Sequence, residues 1–408
     1  MRILSVTETY APFLEFGGPP VKVRALAQGL AGRGNEVTVL TPDWGLRTRM
    51  SAAEASGAEL SPFGWKRTDS GVTAIYLPTW LRYRSVSWNP AVKRFCRARL
   101  KNFDLAHIYG LYDFLGPAVA AACVKKKLPY VLEPIGMFVP IVRSLRLKRI
   151  YHTLFGRRLF EEAGAIVATS EQEIEELVSG GVAREKIALR RNGVETPAVW
   201  PERGTFRTGL GITEGAKVIL FLGRLSEKKS PELLLEAFAS LSKEAGENSL
   251  HLVFAGPDEG GMKTRLAQMA AQLGVAQRVQ FTGALFGEAK WAAYRDADVF
   301  VLPSQNENFG NTAAEAMAAG TPVVVTEHCG IAPLLADVAG LVVPHDAEPL
   351  ARAIRAVIGD PELHTRLMAG CNTVTARLGW EEPVREMEAL YNKLAIKPVR
   401  SAKFGAPE

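Results

Sequence analysis

From one end to the other, short apolar runs alternate with helical patterns in this chain. A strand with one wet face alternates polar and apolar residues, whereas a strand covered on both faces reads as a continuous apolar run. Runs such as VTVL at 37–40 and AIVA at 165–168 are of the second kind. Followed each time by a helical pattern, they predict βα units around parallel sheets. The first half supplies candidate strands at 2–7, 36–41, 73–77, 104–108, 130–133, 165–168 and 187–189. The second half supplies them at 218–222, 250–255, 279–282, 299–302, 322–325 and 341–343. Between the halves, residues 192–217 are rich in Gly and Pro and carry no clear period, which reads as a linker. A length of 408 residues suits two such α/β domains. Two α/β domains in one chain usually leave a cleft between them, and clefts take ligands.

Composition narrows the classes. Hydrophobic residues make up 47% and charged residues 23%, which excludes disordered and coiled-coil chains. No apolar run reaches the ~18 residues of a membrane span; the longest, 115–124, stops at Lys125, Lys126 and Lys127. The N-terminal apolar stretch is short and broken by Glu8, unlike a secretory signal. Cys96, Cys123, Cys329 and Cys371 lie far apart, which fits neither disulfides nor zinc and points to a reducing cytoplasm. The net charge of +6 is uneven: residues 1–200 hold 28 Lys and Arg against 18 Asp and Glu, and the remainder holds 21 against 25. The basic half suits an anionic substrate or membrane surface. No nucleic-acid motif accompanies it, so nucleic acid is not an expected partner.

Three segments carry chemistry. In NENFGNTAAEAMAAGTPVVV (306–325), a strand is followed by a loop with Gly310 and a helix starting near Asn311. Its free N–H groups suit an anion. Glu307 and Glu315 flank that start, and carboxylates accept from sugar hydroxyls; from spacing alone, solvated acids remain an alternative. In FLGRLSEKKSPE (221–232), Arg224 and Lys229 occupy the turn between a strand and a helix opening at Pro231. Such cations bind phosphate oxygens, although a charged surface loop reads the same way. In FGGPP (16–20), Gly17 and Gly18 permit close approach of backbone to phosphate. This is not GxGxxG, which weakens a dinucleotide reading.

In this order, the segments resemble the retaining nucleotide-sugar glycosyltransferases of family 4, which have the GT-B fold and the group 1 domain. NENFGNTAAEAMAAGTPVV is similar to that family's E-x7-E element, and FLGRLSEKKSPELLLEAF to its Arg/Lys diphosphate loop. GGPPVKVRALAQGLAGRGNEVTVLT is similar to its glycine loop, helix and second strand, and VATSEQEIEELVSGGV and RRNGVE to the segments before its linker. The similarity spans nearly the whole chain. It implies an α/β fold of two Rossmann-like domains facing a deep cleft. An acceptor-binding domain would cover 1–192, with a C-terminal helix at 380–396 packing back on it. A nucleotide-sugar-binding domain would cover 193–379.

The resemblance also implies roles. Glu315 would bind the donor's ribose, and Glu307 the transferred sugar. Asn308, Phe309, Gly310 and Asn311 would contact sugar and phosphate. Arg224 and Lys229 would hold the diphosphate, with Gly17 and Gly18 approaching it from the other domain. The donor would be a UDP-, GDP- or other nucleotide sugar, with no metal or other cofactor. The acceptor would be a glycan or lipid-linked glycan in polysaccharide or glycolipid synthesis. One departure stands out: many members have His-Gly after the fifth strand, where PYVLEPIGMFVP has Ile135-Gly136. His107, at the end of the fourth strand, is the substitute candidate, with a structural histidine as the alternative.

The segment 143–158 (RSLRLKRIYHTLFGRR) interleaves Arg143, Arg146, Lys148, Arg149, Arg157 and Arg158 with Leu145, Leu147, Ile150, Leu154 and Phe155. A basic amphipathic helix there, joined by Trp80, Tyr83, Trp88, Lys93, Arg94, Arg97 and Arg99, would lie on the inner face of an anionic membrane. An ordinary surface helix reads the same way. A GT-B epimerase or hydrolase, a catalytically silent binding protein and a dinucleotide oxidoreductase are the other classes the sequence leaves open.

Overall fold

The computed structural model describes residues 1–13, 17–43, 57–83, 86–139, 150–243 and 250–396. They divide into two compact units, Met1–Gly193 with Trp380–Glu408, and Val194–Gly379.

The first unit contains β1 (Arg2–Val6), β2 (Glu36–Pro42), β3 (Glu59–Ser61), β4 (Gly64–Asp69), β5 (Val72–Leu77), β6 (Leu81–Tyr83), β7 (Val86–Trp88), β8 (Leu105–Tyr109), β9 (Tyr130–Glu133), β10 (Ala165–Ala168) and β11 (Ile187–Leu189). Nine of these form one sheet in the order β11-β10-β9-β8-β1-β2-β5-β4-β3. It is parallel from β11 to β5. β4 and β3 then add antiparallel, and β6 and β7 form a separate hairpin. The second unit is a six-stranded parallel sheet of β12 (Lys217–Leu222), β13 (Leu250–Ala255), β14 (Val279–Gly283), β15 (Val299–Leu302), β16 (Val323–Thr326) and β17 (Gly340–Val343). Its order is β14-β13-β12-β15-β16-β17.

Every predicted strand exists, within two residues at each end. Adjacent residues of a strand point to opposite faces, so each sheet builds two cores. Val218, Leu220 and Leu222 enter one core of the second unit, and Ile219 and Phe221 the other. In the first unit, Ile3, Val37 and Val39 share a core with Val23, Leu26 and Leu30 of the helix Gly18–Gly32. Val384, Met387 and Tyr391 of the helix Glu381–Ile396 complete it. Each such buried side chain contributes about 1.5–3 kcal/mol, which is why the last helix belongs to the first unit. Residues 194–217, read as linker, belong to the second unit and include the helix Thr205–Gly209.

Candidate active site

In an open parallel sheet, ligands bind at the carboxyl ends of strands, where consecutive connections run in opposite directions. In the second unit the chain passes from β12 to β13 and β14 on one side, then returns to β15 on the other. The loops after β12 and β15 therefore frame this switch point. They carry Arg224 and Lys229, and Glu307 to Asn311.

The two loops are joined. Lys229 Nζ donates to the Glu307 carboxylate, and both side chains are largely buried. The Gln305 N–H donates to the Lys228 carbonyl at 3.0 Å. The Glu307 N–H donates to the His328 carbonyl at 2.9 Å, and its own carbonyl accepts from Gly330 at 2.9 Å. Burial alone would raise the Glu307 carboxyl, but Lys229, Lys228 and Arg224 outweigh it and hold the pKa below the usual carboxylate range. Arg224 is exposed and pairs with Glu259 at 3.3 Å. Its loop is set by Gly256, which has φ 146 and whose missing Cβ would lie 1.8 Å from the Gly223 carbonyl oxygen.

Gly310, at φ 102, starts the helix Asn311–Ala318, and no side chain caps it. A Cβ there would lie 2.9 Å from Ile331, so both space and conformation favour glycine. Among the described residues, Ser304 Oγ and Asn308 Oδ1 of the loop after β15 and Thr312 Oγ1 of the helix's first turn are buried without a hydrogen-bond partner. Phe309 is buried in the core, so its side chain serves packing, leaving its backbone for any ligand. Glu315 lies one turn into the helix. It accepts from Lys290 Nζ at 2.8 Å and from the Tyr294 hydroxyl at 2.9 Å. Lys290 and Tyr294, on the helix Gly287–Asp296, escaped the sequence reading because that helix has no motif of its own.

In the first unit the switch point falls between β1 and β8. Gly17, at φ 97, caps the helix that Gly18 opens, after β1; Phe16 lies outside the described residues. Glu8 also follows β1 and accepts from the Ser87 hydroxyl at 3.2 Å. Burial first, then Asp113, raises the Glu8 carboxyl well above its usual range. Burial lifts Asp113, which follows β8, to about 6. Neither acid was singled out from the sequence, where each stands alone.

His107 is corrected. It lies in the middle of β8, fully buried, with Nδ1 2.6 Å from the Tyr391 hydroxyl and its ring stacked on Tyr109. Burial first, with Arg190 and Lys22 adding to it, pushes its pKa down to about 3. It is a core histidine that docks the last helix, out of reach of a substrate. Beneath it, Glu133 Oε1 accepts from Lys22 Nζ at 2.5 Å and from Arg190 Nη2 at 2.6 Å, all three fully or almost fully buried. Burial opposes the Glu133 charge, yet Arg190, Lys22 and His107 hold its pKa at about 2. Ile135, where the resemblance leads one to expect histidine, has φ 57 and packs against the apolar core. A β-branched residue there is a true outlier.

The basic segment is covered only from Ile150 on; Arg143, Leu145, Arg146, Leu147, Lys148 and Arg149 lie outside the described residues, as does the Tyr83 side chain. The described part is not one regular helix: a π turn, His152–Gly156, precedes a short helix, Arg157–Glu161. Among the described residues no helix is long and apolar enough to cross a membrane.

Comparison with known proteins agrees with this architecture. Residues 202–370 match the model of "Glycosyl transferases group 1", and residues 16–197 that of "Glycosyltransferase Family 4". The chain belongs to this glycosyltransferase family. An uncharacterized glycosyltransferase of Methanocaldococcus jannaschii is 26% identical over 97% of this chain and 99% of its own. A D-inositol 3-phosphate glycosyltransferase of Geodermatophilus obscurus is 35% identical over 60% of this chain, a match that spans 56% of that enzyme. Among solved structures, Anabaena HepE in complex with UDP-glucose aligns with a TM-score of 0.75 at 18% identity, over 97% of this chain and 100% of that one. A sucrose-phosphate synthase from Thermosynechococcus elongatus aligns at 0.72 and 21% identity, over 96% and 98%. The fold is GT-B, with two Rossmann-like domains.

Proposed function

We propose that this glycosyltransferase moves a sugar, with retention of anomeric configuration, from a nucleoside-diphosphate sugar to a glycan or lipid-linked acceptor in cell-surface polysaccharide or glycolipid synthesis. The observation that carries the donor assignment is the Lys229–Glu307 pair at the β12/β15 switch point, beside an uncapped helix start. There Arg224 and Lys229 hold the diphosphate and stabilise its charge as it leaves, work that a metal ion does elsewhere. The helix start at Asn311 adds its dipole. Glu307 accepts from the transferred sugar. Glu315, already oriented by Lys290 and Tyr294, accepts from the ribose. The HepE complexes contain UDP and UDP-glucose, which supports a nucleotide-sugar donor. The first unit takes the acceptor, with Gly17 and Gly18 in its glycine loop.

The deciding experiment is thermal unfolding against a panel of nucleotide sugars and free nucleoside diphosphates. A ligand at ~100 times its Kd adds about 2.7 kcal/mol. One responding nucleotide sugar names the donor; no response from any removes this reading. The anomeric configuration of the product, read by NMR, tests retention.

The first unit also supports peripheral contact with an anionic membrane. Trp80, Leu81 and Leu154 are exposed. Trp88 meets Phe114 edge-on at 5.6 Å, and Phe114 meets Phe155 at 6.3 Å, a row of partly exposed rings drawn from three segments. Arg157 and Arg158 are exposed beside them in sequence. Such surfaces combine apolar insertion with attraction to anionic lipid. Sedimentation with phosphatidylglycerol vesicles, lost in Trp88→Ala/Leu154→Ser, is the expected result; equal sedimentation with zwitterionic vesicles or none at all refutes the contact.

A further inference from the structure

Lys229 sits in a turn whose shape is held from outside. Glu227–Lys229 form a single 3-10 turn, after which Ser230 adopts φ 47 and ψ 49. Left-handed backbone at a residue with a β-carbon is uncommon and persists where the surroundings over-determine it. Besides the Gln305–Lys228 bond, the side chain of Ser230 provides the hold. Its hydroxyl donates to the Glu227 carbonyl at 3.4 Å, and His345 Nε2 lies 2.9 Å from the same oxygen. The 2.9 Å contact holds Ser230 with either partner as donor, according to the imidazole tautomer.

His345 follows β17 and belongs to no motif in the sequence. It is not the cap of the helix Ala347–Gly359, because Asp346 fills that role by accepting from the Glu348 N–H. The loops after β16 and β17 thus grip the ion pair from both ends. His328 and Gly330 hold the Glu307 backbone, and His345 holds the residue next to Lys229.

We propose that His345 is a positioning residue for glycosyl transfer: through Ser230 it fixes the turn that aims Lys229 at the donor diphosphate. It touches no substrate itself. The inference rests on the reading that Lys229 holds that diphosphate.

The test uses the full chain and the free nucleoside diphosphates UDP, GDP, ADP, CDP and dTDP, the tightest binder becoming the probe. Binding is titrated for the wild type, His345→Ala, His345→Gln, Lys229→Ala and the double variant His345→Ala/Lys229→Ala. His345→Ala should weaken the probe roughly three- to tenfold, the worth of one ordinary hydrogen bond. His345→Gln, whose amide can donate to the same oxygen, should recover most of the loss. In the Lys229→Ala background, His345→Ala should cost little more, because both changes act through one ammonium group. The melting temperature of each variant separates this effect from loss of fold. Full additivity of the two changes, or unchanged binding in His345→Ala, overturns the proposal. If Lys229→Ala itself leaves binding unchanged, or the wild type binds none of the five, the reading of Lys229 fails and the proposal falls with it.

Discussion

Lys229 and Glu307 are 78 residues apart in the chain, and neither is unusual by itself. Their pairing keeps the carboxylate ionised despite burial and presents a cation beside a helix start, the arrangement a departing diphosphate needs. Arg224→Ala or Lys229→Ala should each lower kcat by roughly 10²–10³-fold, like removal of one transition-state donor; near-wild-type turnover in both would refute the assignment. Glu315→Ala should mainly weaken donor binding, read as a raised Kd in titration. The buried cluster of the first unit gives a stability prediction. Glu133→Gln leaves Lys22 and Arg190 inside the protein without their anion, which should cost about 3–5 kcal/mol in chemical denaturation. His107 gives a pH prediction. Its folded pKa of about 3 lies below the ordinary 6.5, so the unfolded chain gains a proton first as pH falls. Its neutral form is therefore favourable above 6.5, and stability declines as pH drops from there towards 3. His107→Gln should flatten the melting temperature between pH 7 and pH 5; an unchanged slope would contradict it.

Among the elements, the parallel strands were legible and the antiparallel ones were not. β12, KVILFL, is buried on both faces, and continuous apolar character marks it without knowledge of its neighbours. β4, GWKRTD, lies near a sheet edge with half-exposed side chains, and β3 and β7 are three residues long. β4 forms because β5 offers it an edge, β3 because β4 does, and β7 because it pairs with β6; in each case the partner decides. The start of the helix at Asn311 was readable from Gly310 and the helix-forming run after it. The close approach of Gly256 to Gly223 was not, because it joins the ends of two different strands. Gly256→Ala should force β12 and β13 apart where Arg224 leaves the sheet. We expect a loss of about 2–4 kcal/mol from strain and overpacking, seen as a lower melting temperature together with weaker nucleotide binding. Wild-type values for both would show that the strands can part freely.

At the scale of the whole molecule, the chain leaves the first unit after Gly193 and returns at Trp380. Arg190 spans that return, bonding Glu133 and lying 5.9 Å over the Trp380 ring. A chain truncated after residue 379 loses Val384, Met387 and Tyr391 and exposes the apolar face they cover. Limited proteolysis should then cut the first unit rapidly and spare Val194–Gly379; equal resistance of the two units would refute this. The sequence by itself determined the class of fold, the parallel strands of both sheets and the order of the motif-bearing loops, because burial on both faces and helix-start chemistry are local and periodic. It also placed Arg224, Lys229 and Glu307 in loops that follow strands, and Glu315 one turn into the helix that starts near Asn311. Only the tertiary structure decided which of them meet, that Glu315 leans on Lys290 and Tyr294, and that His107 is a core residue. Those outcomes depend on contacts between segments tens to hundreds of residues apart, and a side chain's partners there are set by packing rather than by spacing along the chain.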